Sequence, residues 1–244
     1  TNIDLVNKLT MGKVAIKKVS SIDKNIAVKA TFNVYKKVLD NNHDYQNDQV
    51  ITTLTSSSDG KEVVSEYLQP GDYVLVETSV TGDYVLDSTY HDFTITAGKT
   101  NRDFVNVPQS TIGIKKIATW KDSANGDIIE PLAGIKFNIY KAIEVNKDFE
   151  GAIKQGDKYY YKDGSPVTSI VSNEDIVYSS KLEPGYYYVE EELTDLQKQD
   201  YQTDVPQVVH LQAGKTEKLT FNNTPLKGKI KVTKVSNVDN KTRL

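Results

Sequence analysis

Wherever hydrophobic residues in this 244-residue chain keep a rhythm, they alternate with polar ones, and no stretch of 11 or more residues holds a 3.6-residue period. The alternating runs are rich in β-branched and aromatic residues, which predicts short strands. They also recur in a fixed order. Opening strands read Gly12-Lys-Val-Ala-Ile-Lys-Lys18, Thr111-Ile-Gly-Ile-Lys-Lys116 and Gly228-Lys-Ile-Lys-Val-Thr-Lys234. Aromatic strands follow the first two, Ala30-Thr-Phe-Asn-Val-Tyr-Lys36 and Ile135-Lys-Phe-Asn-Ile-Tyr-Lys141. Then come Leu68-Gln-Pro-Gly-Asp-Tyr-Val-Leu-Val-Glu77 and Leu182-Glu-Pro-Gly-Tyr-Tyr-Tyr-Val-Glu-Glu191. Each unit closes on an asparagine strand, Phe104-Val-Asn106-Val-Pro108 and Phe221-Asn-Asn223-Thr-Pro225.

One order met twice means two copies of one fold. Pro70-Gly71 and Pro184-Gly185 read as turns that open a strand, and Asp59-Gly60 and Asp163-Gly164 as hairpin turns. Short strands without crossover helices predict an all-β chain of tandem immunoglobulin-like antiparallel β-sandwiches. The expected domains are 9–108 and 109–225. Residues 1–8, where Ile3–Asn7 resembles a closing strand, read as the end of a preceding repeat; residues 226–244 read as the start of a following one. Corresponding lysines stand 98 residues apart, glutamates 114 and asparagines 117, so the second copy carries its extra length between lysine and glutamate. Glu144 to Pro166, polar and punctuated by glycine, reads as a longer hairpin or loop.

Strand parity turns this pattern into chemistry. Val14, Ile16 and Lys18 share a face, as do Ile112, Ile114 and Lys116, so the apolar residues carry each lysine toward the core. Lys17 and Lys115 point outward. By the same parity Tyr73, Leu75 and Glu77 travel together, and Tyr187, Val189 and Glu191; Phe104 travels with Asn106, and Leu219 and Phe221 with Asn223. Parity thus selects Glu191 from the run Glu190–Glu192 and Asn223 over Asn222. Burial of a lone charge is costly, so desolvation is expected to lower the lysine pKa and raise that of the glutamate. A neutral amine is a nucleophile, and a protonated carboxyl donates to an amide oxygen. Where such an amine meets the asparagine carboxamide, the product is a Lys–Asn isopeptide bond with loss of ammonia.

Both units resemble the Cna B-type (SpaA-like, prealbumin-like) domains of Gram-positive surface adhesins and pilins. The resemblance runs from about residue 10 to residue 225. It rests on the Gly-started strand ending in lysine, the Leu-x-Pro-Gly-x-Tyr-x-x-x-Glu run and the closing Asn-x-Pro. It implies an autocatalytic intramolecular isopeptide bond in each domain, formed by Lys18, Glu77 and Asn106 in the first and by Lys116, Glu191 and Asn223 in the second. It also implies an extracellular place, anchored to the wall of a Gram-positive cell. The second unit departs from the pattern in opening with Thr111 and Gly113. A Tyr-Pro-Lys pilin motif and a Leu-Pro-x-Thr-Gly sorting signal do not occur in these residues. The expected role is a stalk or spacer of a surface adhesin. The alternatives are a ligand-binding module for host matrix protein or glycan, using the loops around Asn146 to Ser169, and a pilin subunit.

Composition narrows the field from the other side. Thirty basic and 33 acidic residues are mixed without long single-sign blocks, which argues against a nucleic-acid or membrane-surface partner. Cysteine is absent, so thiol chemistry and disulfides are excluded. His43, His91 and His210 are isolated from other ligands at metal spacing. Asp40-x-Asn42-x-Asp44 begins like a calcium loop, but Tyr45 stands where the turn glycine belongs. Gly151-x-x-x-x-Gly156 is followed by Asp157 instead of a phosphate-loop lysine. Tyr159-Tyr160-Tyr161 fits either a binding surface or ordinary cross-strand packing. The expectation is a monomer without cofactor or metal, whose partners are neighbouring repeats of the same polypeptide. A single self-crosslinking event does not make it an enzyme.

Overall fold

In the computed structural model, residues 11–37, 49–122, 125–146 and 150–226 are described. The calcium-like run at Asp40–Asp44, His43, the segment Ile3–Asn7 and the opening strand after Lys227 lie outside them. The chain divides into two compact units, the main break falling between Thr111 and Ile112, with Lys181–Gly185 and Leu211–Thr216 grouped with the first.

The first unit consists of β1 (Gly12–Ser20), β2 (Ala30–Lys36), β3 (Val50–Thr55), β4 (Val63–Val64), β5 (Gly71–Val80), β6 (Tyr90–Ile95) and β7 (Gly98–Asn106). They form two sheets, ordered β4-β1-β7 and β3-β2-β5-β6. The expected alternation supplies the filling between them. Val14 and Ile16 from β1, Phe32 and Val34 from β2, Leu75 from β5 and Phe104 from β7 belong to one core cluster. Neighbouring strands pair antiparallel except β1 and β7, which run parallel from Gly12↔Gly98 to Ser20↔Asn106. A parallel pair needs a long connection, and here the connection is the rest of the domain. The opening and closing strands therefore lie side by side, and Lys18 and Asn106 emerge from adjacent strands on one face.

The second unit repeats the plan with additions. Its elements are β8 (Thr111–Asp122), β9 (Gly126–Pro131), β10 (Lys136–Val145), β11 (Ile153–Gln155), β12 (Lys158–Val171), β13 (Val177–Tyr178), β14 (Gly185–Glu192), α1 (Asp195–Asp200), β15 (Tyr201–Gln202), β16 (Gln207–Leu211) and β17 (Thr216–Pro225). The sheets are ordered β11-β12-β10-β14-β16 and β13-β8-β17-β15, with β9 paired to β8. Both Pro-Gly turns open a strand as expected, β5 at Gly71 and β14 at Gly185.

The extra length of this copy includes the hairpin of β11 and β12. Tyr160 of this hairpin and Tyr188 of β14 are buried. Tyr160 stacks on Tyr186 at 4.6 Å, Tyr186 stacks on His210 at 4.3 Å, and the Tyr188 hydroxyl donates to the Gly151 carbonyl at 2.9 Å. Burial pushes the Tyr188 phenol up to about 12. The reading of Asp163-Gly164 as a hairpin turn needs correction. Asp163-Gly164 does not end a strand: β12 runs through it, and Gly164, at φ 59°, sits where the pairing register with β10 shifts, between Ile139↔Thr168 and Lys141↔Asp163. The dipeptide's tolerance of positive φ serves a bulge here, not a hairpin tip. The six-residue helix α1 was too short for a periodicity argument. Its signal was local, a capping box in which Thr194 accepts from the Gln197 backbone and Gln197 reaches back to the Thr194 backbone.

Gly12 has a steric reason to be glycine. A Cβ there would lie 2.0 Å from the Thr96 carbonyl oxygen and 2.7 Å from Ile95 Cγ2. Gly12→Ala is therefore expected to destabilise the first unit by about 2 kcal/mol through overpacking. Urea unfolding checks this, and a Gly98→Ala control, whose cost is backbone strain at φ 97° with no steric neighbour within 4 Å, separates the two causes.

Candidate functional site

All six residues selected by parity are placed in two clusters, one per unit. In the first, Lys18, Glu77 and Asn106 are each no more than 2% exposed. β1 delivers the lysine, β5 the glutamate and β7 the asparagine. In the second, Lys116 and Asn223 are equally enclosed, and the Glu191 side chain is 0% exposed. Their neighbours in sequence go the other way. Lys17 and Lys115 are exposed, Glu190 pairs with Lys162 at 2.6 Å, Glu192 pairs with Lys136 at 2.7 Å, and Asn222 faces solvent. The period of two decides every one of these choices.

The geometry within each cluster is polar and dry. In the second unit Lys116 Nζ stands 2.5 Å from Glu191 Oε1 and donates to Asn223 Oδ1 at 2.6 Å. In the first, Lys18 Nζ stands 3.4 Å from Glu77 Oε1 and donates to the Val105 carbonyl at 3.2 Å. There the asparagine turns its amide nitrogen to the acid, donating to both Glu77 oxygens at 3.2 and 3.0 Å and to the Val85 carbonyl at 3.0 Å. Aromatic rings flank the first lysine. Lys18 Nζ lies 5.5 Å from the Phe32 ring and 5.6 Å from that of Phe104, and Phe137 and Phe221 are in contact at 4.8 Å in the second unit.

Burial holds both lysines below their ordinary pKa, against the opposing pull of Glu77 and Asp87 on Lys18 and of Glu191 and Asp204 on Lys116. The free base is thus reached at lower pH than for a surface lysine. A neutral amine beside a carboxamide, with a carboxyl group touching one or both, is the arrangement that acyl transfer from an amide requires.

Asp87 and Asp204 escaped the sequence reading. The Asp87 backbone N–H donates to Glu77 Oε2 at 2.8 Å, and the Asp204 N–H to Glu191 Oε2 at 3.3 Å. Burial opposes charge on Asp87, but hydrogen bonds from Thr89 and His91 outweigh it and hold the carboxyl below its ordinary range. A signal existed, since each aspartate precedes its asparagine by 19 residues. The spacing from the glutamate, 10 residues in one unit and 13 in the other, hides it.

With this geometry in hand, the family is decided by sequence. A family model described as the SpaA prealbumin-like fold domain matches residues 12–108 and again 114–225. The chain belongs to that family. Comparison with curated protein sequences finds no match. Among solved structures, the SpaA-type pair is similar to the Bacillus anthracis TIE protein, at 18% identity and TM-score 0.36, with 88% of this chain and 34% of that one covered. A streptococcal ancillary pilin gives 18% identity and TM-score 0.43, with 88% and 63% covered. The minor pilin GBS52 of Streptococcus agalactiae gives 15% and 0.42, with 91% and 100% covered. The chain thus spans about a third of the first of these proteins and under two thirds of the second.

The buried ion pair sets a test independent of any covalent step. In an Asn223→Ala background the Lys116 amine has no carboxamide to meet. Adding Lys116→Met there leaves Glu191 enclosed without its partner, and the second SpaA-type domain is expected to lose about 3–5 kcal/mol. Adding Glu191→Gln to that variant should recover most of the loss, as read by denaturant unfolding.

Proposed function

We propose that this chain is a tension-bearing stalk segment of a Gram-positive surface protein, in which each SpaA-type domain closes its own Lys–Asn isopeptide bond with the help of the buried glutamate. The observation that carries this reading is the convergence, twice in one chain, of an amine, a carboxyl and a carboxamide in a dry interior. The contacts of Lys116 with Asn223 and Glu191, at 2.6 and 2.5 Å, are its sharpest form.

The chemistry follows from the groups. Lys116 passes a proton to Glu191, and its neutral nitrogen attacks Asn223 Cγ. The new C–N bond forms, the electron pair of the carbonyl moves onto Oδ1, and the glutamate returns the proton to Nδ2. Collapse breaks the Cγ–Nδ2 bond and releases ammonia, while the glutamate, a carboxylate again, takes the remaining extra proton from the former lysine nitrogen and leaves a neutral amide. Lys18, Glu77 and Asn106 do the same in the first domain, where Nδ2 already rests on the acid that protonates it. Each site turns over once, so the protein modifies itself and processes no external substrate.

The bond is useful because of where it sits. It joins the opening strand to the closing strand, so tension crosses from one to the other and bypasses the chain between them. By analogy with a disulfide closing a loop of this length it contributes roughly 4 to 5 kcal/mol. The mechanical effect is larger, because an intact crosslink makes extension of the enclosed chain impossible. Its partners in this reading are the neighbouring repeats through which load enters and leaves, outside the cell and on the way to the wall. A role as a pilin subunit uses the same rod and the same bonds.

Intact mass under denaturing conditions is expected to fall short of the sequence mass by two ammonia molecules. Glu77→Ala and Glu191→Ala should each restore one, and a full-mass wild-type protein would end this reading. Under force the wild-type second domain should release no chain between Lys116 and Asn223. Glu191→Ala should release about 360 Å, the contour of the 107-residue separation, in single-molecule pulling.

A further inference from the structure

The two sites differ at the atom where charge must gather. When an amine adds to a carboxamide, negative charge develops on the amide oxygen, and a donor fixed at that oxygen lowers the barrier. In the second domain Asn223 Oδ1 accepts from Lys116 Nζ, which is itself the attacking atom, and from the Asp204 backbone N–H at 3.1 Å. The Asp204 N–H is therefore the one donor at that oxygen, among the described residues, that does not take part in bond making. In the first domain the matching N–H, that of Asp87, reaches only the glutamate at 2.8 Å, and Asn106 Oδ1 is buried without a hydrogen-bond partner.

What holds the Asp204 N–H in place is its own side chain. Oδ1 accepts from the Val205 N–H at 2.8 Å, and Oδ2 accepts from the Asn222 N–H at 2.7 Å. The second of these ties the loop to the residue next to the reacting asparagine. We propose that Asp204 is a positioning residue for the second crosslink: its carboxylate clamps the loop to β17, so that its backbone N–H stabilises the oxyanion formed on Asn223 Oδ1. This inference rests on the crosslinking reading and adds a part to it. The carboxylate has a second, opposite influence. As a negative charge near Lys116 it favours the ammonium form and so works against the nucleophile. Positioning and charge therefore predict opposite signs when Asp204 is replaced.

The test uses the full chain in an Asn106→Ala background, so that only the second site loses ammonia. Protein is made in a cell-free reaction and sampled over time by intact mass under denaturing conditions, across a pH series. If the parent never loses ammonia, the crosslinking reading itself fails. If it does, Asp204→Ala is expected to slow the loss tenfold or more, toward the range for removal of an oxyanion donor, about 10² to 10³. The slowing should persist on the high-pH plateau, where Lys116 is neutral in both proteins and the charge of Asp204 no longer matters. Asp204→Asn, which removes the charge but keeps one acceptor oxygen, should be intermediate, and it is the variant read if Asp204→Ala fails to give a cooperative melt. A rate equal to or faster than the parent in a folded variant would overturn the proposal.

Discussion

A strand cannot choose the face of one side chain independently of the next. Val14, Ile16 and Lys18 alternate with residues of the opposite face, and the first two have 0% exposure. Their burial drags the third inside. The same coupling brings in Glu77 behind Tyr73 and Leu75, and Asn106 behind Phe104. Hydrophobic burial, at about 25 cal/mol per Å² of apolar surface, supplies the free energy that confines an amine where water cannot solvate it. The polar cluster is therefore maintained by the apolar residues around it, and its low-pKa lysine is a consequence of their packing.

Topology then decides what such a cluster does mechanically. β1 and β7 run parallel and adjacent, so a pull on the start of one and the end of the other loads their ladder in shear, with many hydrogen bonds strained together. The proposed covalent link between Lys18 and Asn106 would shorten even that path, since force would leave β1 near its end and depart at the end of β7. An antiparallel pairing of the same two strands would set the ends of the load path at one end of the ladder and open it one bond at a time. The parallel ladder is the part of the fold that makes a lysine-to-asparagine bond a structural strut.

Much of this was legible in the residues alone, because a period of two fixes which neighbours share a face without any knowledge of the fold. Lys18 against Lys17, Glu191 against Glu190 and Asn223 against Asn222 are all resolved by it. What alternation cannot convey is pairing. The parallel direction of β1 and β7 depends on which strands meet, and the bulge at Asp163-Gly164 depends on a partner strand that pairs on both sides of it in two different registers. Hydrogen bonds made by the backbone are invisible for a related reason. The Asp87 and Asp204 N–H groups act on their glutamates through loop geometry, and only the 19-residue interval to the asparagine betrays them. For the tyrosines of β12, alternation alone does not separate packing from binding; the burial of Tyr160 shows that this one packs.

The two domains solve one electrostatic problem with different local means. In the first, the carboxamide nitrogen rests on the glutamate while the oxygen has no donor. In the second, the oxygen is held by the lysine and by the Asp204 N–H, while the nitrogen has no partner. A buried carboxamide has more hydrogen-bonding positions than these pockets fill, so each site leaves one end unsatisfied, at a cost of about 1–3 kcal/mol. In the proposed crosslinking, expulsion of ammonia would remove the nitrogen that is unpaired in the second site, and would replace a lysine that had to be desolvated with an amide that carries no charge. The proposed reaction would thus relieve the tension that folding creates.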